Sequence, residues 1–160
     1  MTISENPVRM TDVSAAKFSQ DIRKSGLHPN FWYPVARSKD LKRGKTLGVH
    51  FAGDPIVLVR PKTASVFALE DRCAHRQIPL RVGQVSGNTI KCGYHGWTYD
   101  STGKCMSVPY LDMCTMKPNR VRSYPCREAY GLVFVFPGDP DKADTCLLYT
   151  SDAADEGLGV

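Results

Sequence analysis

Two short segments decide the fold of this chain: Cys73-Ala74-His75-Arg76 and Cys92-Gly93-Tyr94-His95-Gly96-Trp97. Each segment holds one cysteine and one histidine, and sixteen residues separate His75 from Cys92. Soft thiolates and neutral imidazoles divide between the two irons of a [2Fe–2S] cluster when two histidines replace two of the four cysteine ligands. We therefore predict that Cys73 and Cys92 hold one iron and that His75 and His95 hold the other.

A structural zinc ion is the alternative that the same residue types allow. Two cysteines and two histidines at short spacings suit tetrahedral Zn²⁺. Zinc motifs of this kind usually pair cysteine with cysteine and histidine with histidine, whereas each segment here is mixed. The mixed pairs favour the iron–sulfur cluster, and a zinc-binding module without a redox role stays open as the competing hypothesis.

The two segments closely resemble the Cys-Pro-His-Arg and Cys-Pro-Tyr-His-Gly-Trp boxes of Rieske non-haem iron oxygenases. Ala74 and Gly93 stand where those boxes usually have proline, and Gln77 stands where glycine is common. These departures affect the stiffness of the loops and not the identity of the ligands. The resemblance runs from about His28 to Pro140 and includes residues 28–36, 104–110 and 130–136.

The resemblance implies the N-terminal Rieske domain of an oxygenase alpha subunit. In that family a second domain holds a mononuclear Fe(II) with two histidines and a carboxylate. Besides the predicted cluster ligands only His28 and His50 remain, and both precede the cluster segments, so we expect this chain to lack the catalytic iron site. The natural protein is then expected to continue past Thr145 into that domain.

The family function would be O₂-dependent hydroxylation or demethylation. Electrons would pass from an NAD(P)H-dependent reductase or a ferredoxin through the cluster to the catalytic iron, and the full-length protein would be a homo-oligomer, a trimer in many members. A stand-alone Rieske-type ferredoxin is the alternative function. The sequence does not specify the substrate, because the residues that would select it lie in the expected second domain.

Respiratory Rieske proteins share the four ligands, but their cluster loops carry a disulfide and a serine that this chain lacks. Ile78 and Tyr94 occupy the two cysteine positions, and Trp97 stands where the serine would be. Losing a hydroxyl donor to a cluster sulfur lowers the potential. We therefore predict a potential near the low end of the Rieske range, about −150 mV rather than about +300 mV.

The rest of the chain predicts an all-β fold, a Rieske-type antiparallel sandwich or partly open barrel with two cluster-binding loops. Short apolar runs alternate with turn residues, as is typical of that class. Residues 1–27 form a polar leader with a short helix from Ser14 to Ser25, residues 28–140 the Rieske domain, and residues 141–145 the start of a link. Candidate strands are residues 31–36, 46–51, 56–60, 66–69, 89–91, 97–99, 121–125 and 131–136.

The C-terminal segment differs from the rest of the chain. Residues 146–156 resemble the translation of a sequencing-library adapter, so we predict that residues 146–160 are a non-native tail.

The formal net charge is +5, and basic residues cluster at Arg37, Lys39, Lys42, Arg43 and Lys45. No aromatic interleaving accompanies the cluster, so we interpret it as a solvated surface that could attract an acidic electron donor and not as a nucleic-acid site. The polar start of the chain lacks a signal peptide, and the longest apolar run is far below the ~20 residues that span a membrane. We expect a cytoplasmic protein with no membrane contact.

Overall fold

A computed structural model describes residues 27–109, 111 and 119–146. The described residues form eleven strands in antiparallel pairs, which confirms the all-β prediction, and no sheet closes into a barrel. The strands are β1 (Tyr33–Arg37), β2 (Lys45–Phe51), β3 (Asp54–Arg60), β4 (Phe67–Glu70), β5 (Gln84–Ser86), β6 (Thr89–Lys91), β7 (Thr98–Tyr99), β8 (Cys105–Ser107), β9 (Ser123–Tyr124), β10 (Cys126–Ala129) and β11 (Leu132–Val135). Short 3-10 turns lie at Ser38–Asp40, Leu80–Val82 and Pro140–Lys142.

Three small sheets build the domain. Their strand orders are β1-β11-β10, β2-β3-β4-β9 and β5-β6-β7-β8. The β2–β3 hairpin is the longest pairing and runs from Lys45 opposite Arg60 to Phe51 opposite Asp54. The third sheet consists of strands of only two or three residues, and its β6–β7 connection carries the second of the two cysteine–histidine segments.

Strand β3 is buried on both faces, which explains its unbroken apolar run Ile56-Val57-Leu58-Val59. Because successive side chains point to opposite faces, the run serves two cores. Ile56 and Leu58 pack with Leu41, Val133 and Val135 towards the first sheet. Val57 and Val59 pack in a second core, together with Leu69, Cys73, Leu80, Ile90, Cys92 and Tyr99. The middle sheet therefore separates the core that it forms with the first sheet from the second core, which lies beneath the cysteine–histidine loops.

The eight predicted strands all occur, with ends that shift by a few residues. Three further strands, β5, β8 and β10, were not predicted. Strands β5 and β8 are three residues long and mostly polar or exposed, and the two central residues of β10, Arg127 and Glu128, are exposed. Pairing with their neighbours, and not an apolar pattern of their own, holds them in the sheets.

Several predictions lie outside the described residues: the helix from Ser14 to Ser25, nearly all of the leader, and the tail beyond Cys146. The segment predicted to begin a link packs on the domain, since Ala143 is buried and its carbonyl accepts a 3.2 Å hydrogen bond from the Trp32 indole. Among the described residues, no helix has the length and apolar character needed to cross a bilayer.

Candidate metal centre

The two cysteine–histidine segments form neighbouring loops at one end of the domain. The first loop, residues 72–79, follows β4 and precedes the turn at Leu80–Val82, and the second loop, residues 92–97, joins β6 to β7. The structure brings all four predicted ligands to these loops and separates them by burial. Cys73 and Cys92 are 2% and 3% exposed, whereas His75 and His95 are exposed to solvent.

The two loops close with the same backbone hydrogen bonds. In the first loop the Gln77 amide donates to the Cys73 carbonyl, and the Cys73 amide donates to the Ile78 carbonyl, both at 2.9 Å. In the second loop the Gly96 amide donates to the Cys92 carbonyl at 3.1 Å, and the Cys92 amide donates to the Trp97 carbonyl at 2.8 Å. Each cysteine is thus fixed at the start of a tight turn that returns to it four and five residues later.

The repeated turn also explains two backbone conformations. The residue four positions after each cysteine has positive φ, +59° at Gln77 and +75° at Gly96. Glycine adopts this region freely, whereas glutamine does so at a cost. Gln77, at the position where the family boxes commonly have glycine, is therefore strained.

The thiols face each other inside the second core. Burial, the largest effect, raises the pKa of Cys92, and the neighbouring Cys73 thiol acts in the same direction. The backbone amides of Tyr94 and His95 donate towards the Cys92 sulfur and oppose that rise. Amides aimed at a sulfur are the donors that stabilise a thiolate bound to iron.

Tyr99 adds a side-chain hydrogen bond on the other sulfur. Its hydroxyl accepts a 3.1 Å hydrogen bond from the Ala74 amide and lies 3.2 Å from Cys73 Sγ. Since the oxygen accepts from the amide, its proton can point at the sulfur. Burial raises the pKa of Tyr99 further, which keeps the hydroxyl protonated as a donor. Tyr99 thus packs in the second core and hydrogen-bonds to the first loop at the same time.

The imidazoles lie side by side at the surface. The ring centroids of His75 and His95 are 4.7 Å apart, and Trp97 stacks on His75 at 4.9 Å with an interplanar angle of 7°. Desolvation is the main cause that lowers the pKa of His95, and electrostatic interactions with the neighbouring His75 and Arg76 act in the same direction. A lowered pKa favours the neutral imidazole that binds metal.

The donor set fits a two-iron cluster better than a single ion. Among the described residues, no group of three or more His, Cys, Asp or Glu side chains gathers around one point. The groups instead form a buried thiol pair and an exposed imidazole pair, which is the division that a [2Fe–2S] cluster with two cysteine and two histidine ligands requires. An open cavity of about 970 Å³ adjoins the imidazoles and is lined by residues that include Lys91, Trp97, Val108 and Leu111.

Comparison with known proteins agrees with this geometry. Residues 31–125 match the model of the Rieske [2Fe-2S] domain family. The chain is 36% identical over 140 residues to a 4beta-methylsterol monooxygenase of Methylococcus capsulatus, covering 86% of this chain and 38% of that protein. It is 41% identical over 115 residues to chlorophyllide a oxygenase of Oryza sativa subsp. japonica, covering 71% of this chain and 21% of the relative.

Solved structures give the same result. NdmA of Pseudomonas putida CBB5 superposes with a TM-score of 0.69 at 32% identity, covering 79% of this chain and 39% of that one. Dicamba monooxygenase bound to dicamba superposes with a TM-score of 0.64 at 35% identity, covering 72% and 34%. The chain spans less than two fifths of the length of each of these relatives and structures. On this similarity the chain belongs to the Rieske [2Fe-2S] domain family, and its relatives are Rieske oxygenase alpha subunits.

Proposed function

We propose that this chain carries electrons through a [2Fe–2S] cluster held by Cys73 and Cys92 on one iron and by His75 and His95 on the other. The contrast in burial carries the proposal. Both thiols lie in the second core at 2–3% exposure, and both imidazoles face solvent with their ring centroids 4.7 Å apart. Elsewhere in the described residues, no group of three or more His, Cys, Asp or Glu side chains gathers around one point.

When bound, such a cluster takes up one electron and passes it on. The chain's own residues then determine how it is held and from which side it is reached. The core around Cys73 and Cys92 excludes water from the thiolate side, and Tyr99 supplies a hydrogen bond to Cys73. The exposed rings of His75 and His95 leave the imidazole side open, so an electron donor or acceptor would approach from there.

For the whole protein we propose an O₂-dependent oxygenase, hydroxylating or demethylating, in which a further domain holds a mononuclear Fe(II). The support comes from the relatives, which are named as a monooxygenase, an oxygenase and, in one case, a methylxanthine N1-demethylase. A nicotinamide-fed reductase or a ferredoxin would supply the electrons, and the full-length protein would assemble as a trimer. Reading the source gene past the codon for Thr145 tests this directly. We expect two histidines and a distant carboxylate to follow, whereas an early stop codon would leave a self-contained electron carrier.

The ligand assignment is tested by a matched pair of cysteine variants. Cys92→Ser should abolish the visible absorption and the EPR signal of the reduced cluster, because serine replaces a soft thiolate ligand. Cys105→Ser is the control, since Cys105 is equally buried in the same core but belongs to neither loop. The assignment fails if both variants keep the cluster, or if the wild-type chain contains zinc and no acid-labile sulfide.

A redox titration tests the class of Rieske protein. We expect a midpoint potential of about −150 mV, the low end of the Rieske range. The reason is that Trp97 stacks on His75 at the position where respiratory proteins supply a serine hydroxyl. A strongly positive potential would contradict the oxygenase-type assignment while leaving the four ligands in place.

A further inference from the structure

Asp71 is the one charged residue in the described part of the chain that is buried, at 2% exposure. It lies two residues before Cys73, at the end of β4. An ionised carboxylate removed from water is costly unless its oxygens are hydrogen-bonded and its charge is paired. The groups that bind the Asp71 carboxylate therefore indicate which part of the structure its burial stabilises.

Arg81 binds both oxygens of the Asp71 carboxylate. The Arg81 backbone amide donates to Oδ1 at 2.7 Å, and the Arg81 guanidinium donates to Oδ2. The Asp71 amide in turn donates to the Pro55 carbonyl at 2.9 Å, which ties the residue to β3. The guanidinium is 42% exposed while the carboxylate is fully covered, so the acid is the buried partner of this pair.

This ion pair closes the chain segment that carries the first two ligands. Residues 72–80 lie between Asp71 and Arg81, and they include Cys73 and His75. Backbone and hydroxyl hydrogen bonds tie each end separately to neighbouring strands, at Asp71 to Pro55 and at Arg81 to Thr46. The Asp71 carboxylate adds a direct link between the two ends of the first loop.

The turn that holds Arg81 also touches the second loop. A Cβ at Gly93 would lie 3.1 Å from the Val82 carbonyl oxygen, and a Cβ at Gly83 would overlap the Lys91 carbonyl. Lys91 and Gly93 flank Cys92 in the sequence. The backbone of the turn is therefore pressed against both neighbours of the second thiol.

Strand β2 also holds the turn at Leu80–Val82. The Thr46 hydroxyl donates a 2.7 Å hydrogen bond to the Arg81 carbonyl, and the Arg81 side chain occupies the space where Gly48 would otherwise carry a Cβ. Cys73, Cys92 and Cys105 are free thiols, so in the described part of the chain no disulfide joins the two loops. Their relative position therefore depends on non-covalent contacts, which include those through this turn, the Tyr99 hydrogen bonds and the stacking of Trp97 on His75.

We propose that Asp71 and Arg81 are positioning residues that set the separation of the two cysteine–histidine loops. The pair fixes the turn at Leu80–Val82 against the first loop, and the turn fixes the second loop through Gly83 and Gly93. Neither side chain serves as a cluster ligand. The inference rests on the proposed function for its meaning, but the contacts that carry it involve no cluster atom.

The test compares Asp71→Asn and Arg81→Met with a second arginine–carboxylate pair in the same chain. Arg60 donates two hydrogen bonds to Glu128, at 2.9 and 2.7 Å, and links β3 to β10 away from the loops. Glu128→Gln is therefore the matched control for losing an ion pair without disturbing the turn. Arg81→Lys keeps the charge, loses the forked geometry, and serves as the milder variant if Asp71→Asn does not fold.

Two readouts are measured on the full, as-purified chain. The first is the rate at which a chelator strips iron, followed by the loss of visible absorption. We expect this rate of iron loss to rise about tenfold in Asp71→Asn and Arg81→Met. Mutation of the residues that support metal ligands weakens metal binding by about 10- to 100-fold, and the expected change lies at the lower end of that range. The second is amide hydrogen exchange at Cys73, Gln77, Cys92 and Gly96, whose closing hydrogen bonds depend on the loop positions. We expect faster exchange there in Asp71→Asn and Arg81→Met, with unchanged exchange in β1 and β11, and an intermediate effect in Arg81→Lys.

The outcomes separate this proposal from the proposed function. If Asp71→Asn, or Arg81→Lys in its place, changes neither chelation nor loop exchange more than Glu128→Gln does, the positioning role is overturned. If the wild-type chain carries no [2Fe–2S] cluster, the proposed function falls. In that case the hydrogen-exchange comparison still decides whether the pair holds the loops.

Discussion

The two cysteine–histidine loops are closed by the same pattern of backbone hydrogen bonds, but different contacts stabilise that pattern in each loop. In the second loop Gly96 holds the position of positive φ, and a Cβ added to Gly96 would lie 3.0 Å from Pro109 Cγ. The first loop places Gln77 at the equivalent position, where the φ of +59° is strained for a side chain. The first loop instead gains support from outside, through Tyr99 and the Asp71–Arg81 pair.

This difference shows that the same turn can be stabilised by a glycine within it or by side chains that lie outside it in the sequence. A loop that depends on glycine should tolerate little change at that glycine. A loop that depends on Tyr99 and Asp71 should respond to substitutions far from it in sequence. Substitutions in and around both loops can therefore test the contrast.

Gly96→Ala should damage the second loop most. The substitution forces a Cβ into a left-handed conformation and towards Pro109, at a cost of about 1–3 kcal/mol in the free energy of unfolding. Because the Gly96 amide closes the turn on Cys92, iron content should fall as well. Denaturant unfolding and iron analysis measure the two effects.

Gly87→Ala is the control for Gly96→Ala. Gly87 has a φ of +53° in the β5–β6 turn, but no atom lies within 4 Å of the position that a Cβ would take there. The substitution should lower stability by the backbone strain alone and leave the iron content unchanged. Equal iron loss in both variants would remove the distinction between the second loop and an ordinary turn.

Tyr99→Phe should act on the first loop through its sulfur. Removing the hydroxyl takes a donor from Cys73 Sγ and an acceptor from the Ala74 amide. The reduced cluster carries more negative charge, so losing the donor should lower the midpoint potential, by about 50 mV, which is close to a tenfold change in a one-electron equilibrium. Tyr124→Phe, a buried tyrosine in the other core, should leave the potential unchanged. A potential that is the same in both variants would show that Tyr99 only packs.

Glu128→Gln provides the reference outside both loops and should have a pH-dependent effect on stability. Hydrogen bonding from Arg60 is the main cause that lowers the pKa of Glu128 below its ordinary value of 4.5. A lowered pKa means that the carboxylate stabilises the fold above pH 4.5 and that this stabilisation is lost as the pH falls through the folded-state pKa. The side chain is 36% exposed, so we expect about 0.5–1 kcal/mol at pH 7. Unfolding curves of wild type and variant should converge towards low pH, and a constant gap would contradict the assignment.

Gln77→Gly should have the smallest effect and the opposite sign. Glycine relieves the positive φ in the first loop, but it also gains freedom in the unfolded chain, so the net stabilisation should be at most about 1 kcal/mol. Ala52→Gly, with a φ of 51° in the β2–β3 turn, should behave similarly. Thermal unfolding of both variants makes the comparison, and a clear loss of stability in Gln77→Gly would mean that its side chain makes a contact that outweighs the strain.

The sequence could predict the four candidate ligands because the information is local, and their assignment to the two irons stays a prediction. Residue type and short spacing define the cysteine–histidine segments, and the unbroken run in β3 marks a strand buried on both faces. The prediction of an antiparallel Rieske-type fold from these signals is confirmed. Strands β5 and β8 were missed because three polar or exposed residues carry no periodicity that could be recognised.

The support around the ligands could not be predicted from sequence, because it depends on tertiary contacts. Asp71 and Arg81 look like two ordinary surface charges ten residues apart, and only the fold shows that one is buried and binds the other. Tyr99 is likewise one of several tyrosines until β7 brings its hydroxyl next to Cys73. The positive φ at Gln77 had a partial signal, since the family boxes commonly have glycine there.

The alternation along β3 has a consequence for how the domain melts. Ile56 and Leu58 belong to one core, and Val57 and Val59 belong to the other, so β3 contributes side chains to both cores. If either core unfolds, the β3 side chains that pack in it become exposed to solvent. We therefore expect heating to unfold the described domain in one cooperative transition, with the cluster-bearing end and the opposite sheet melting at the same temperature.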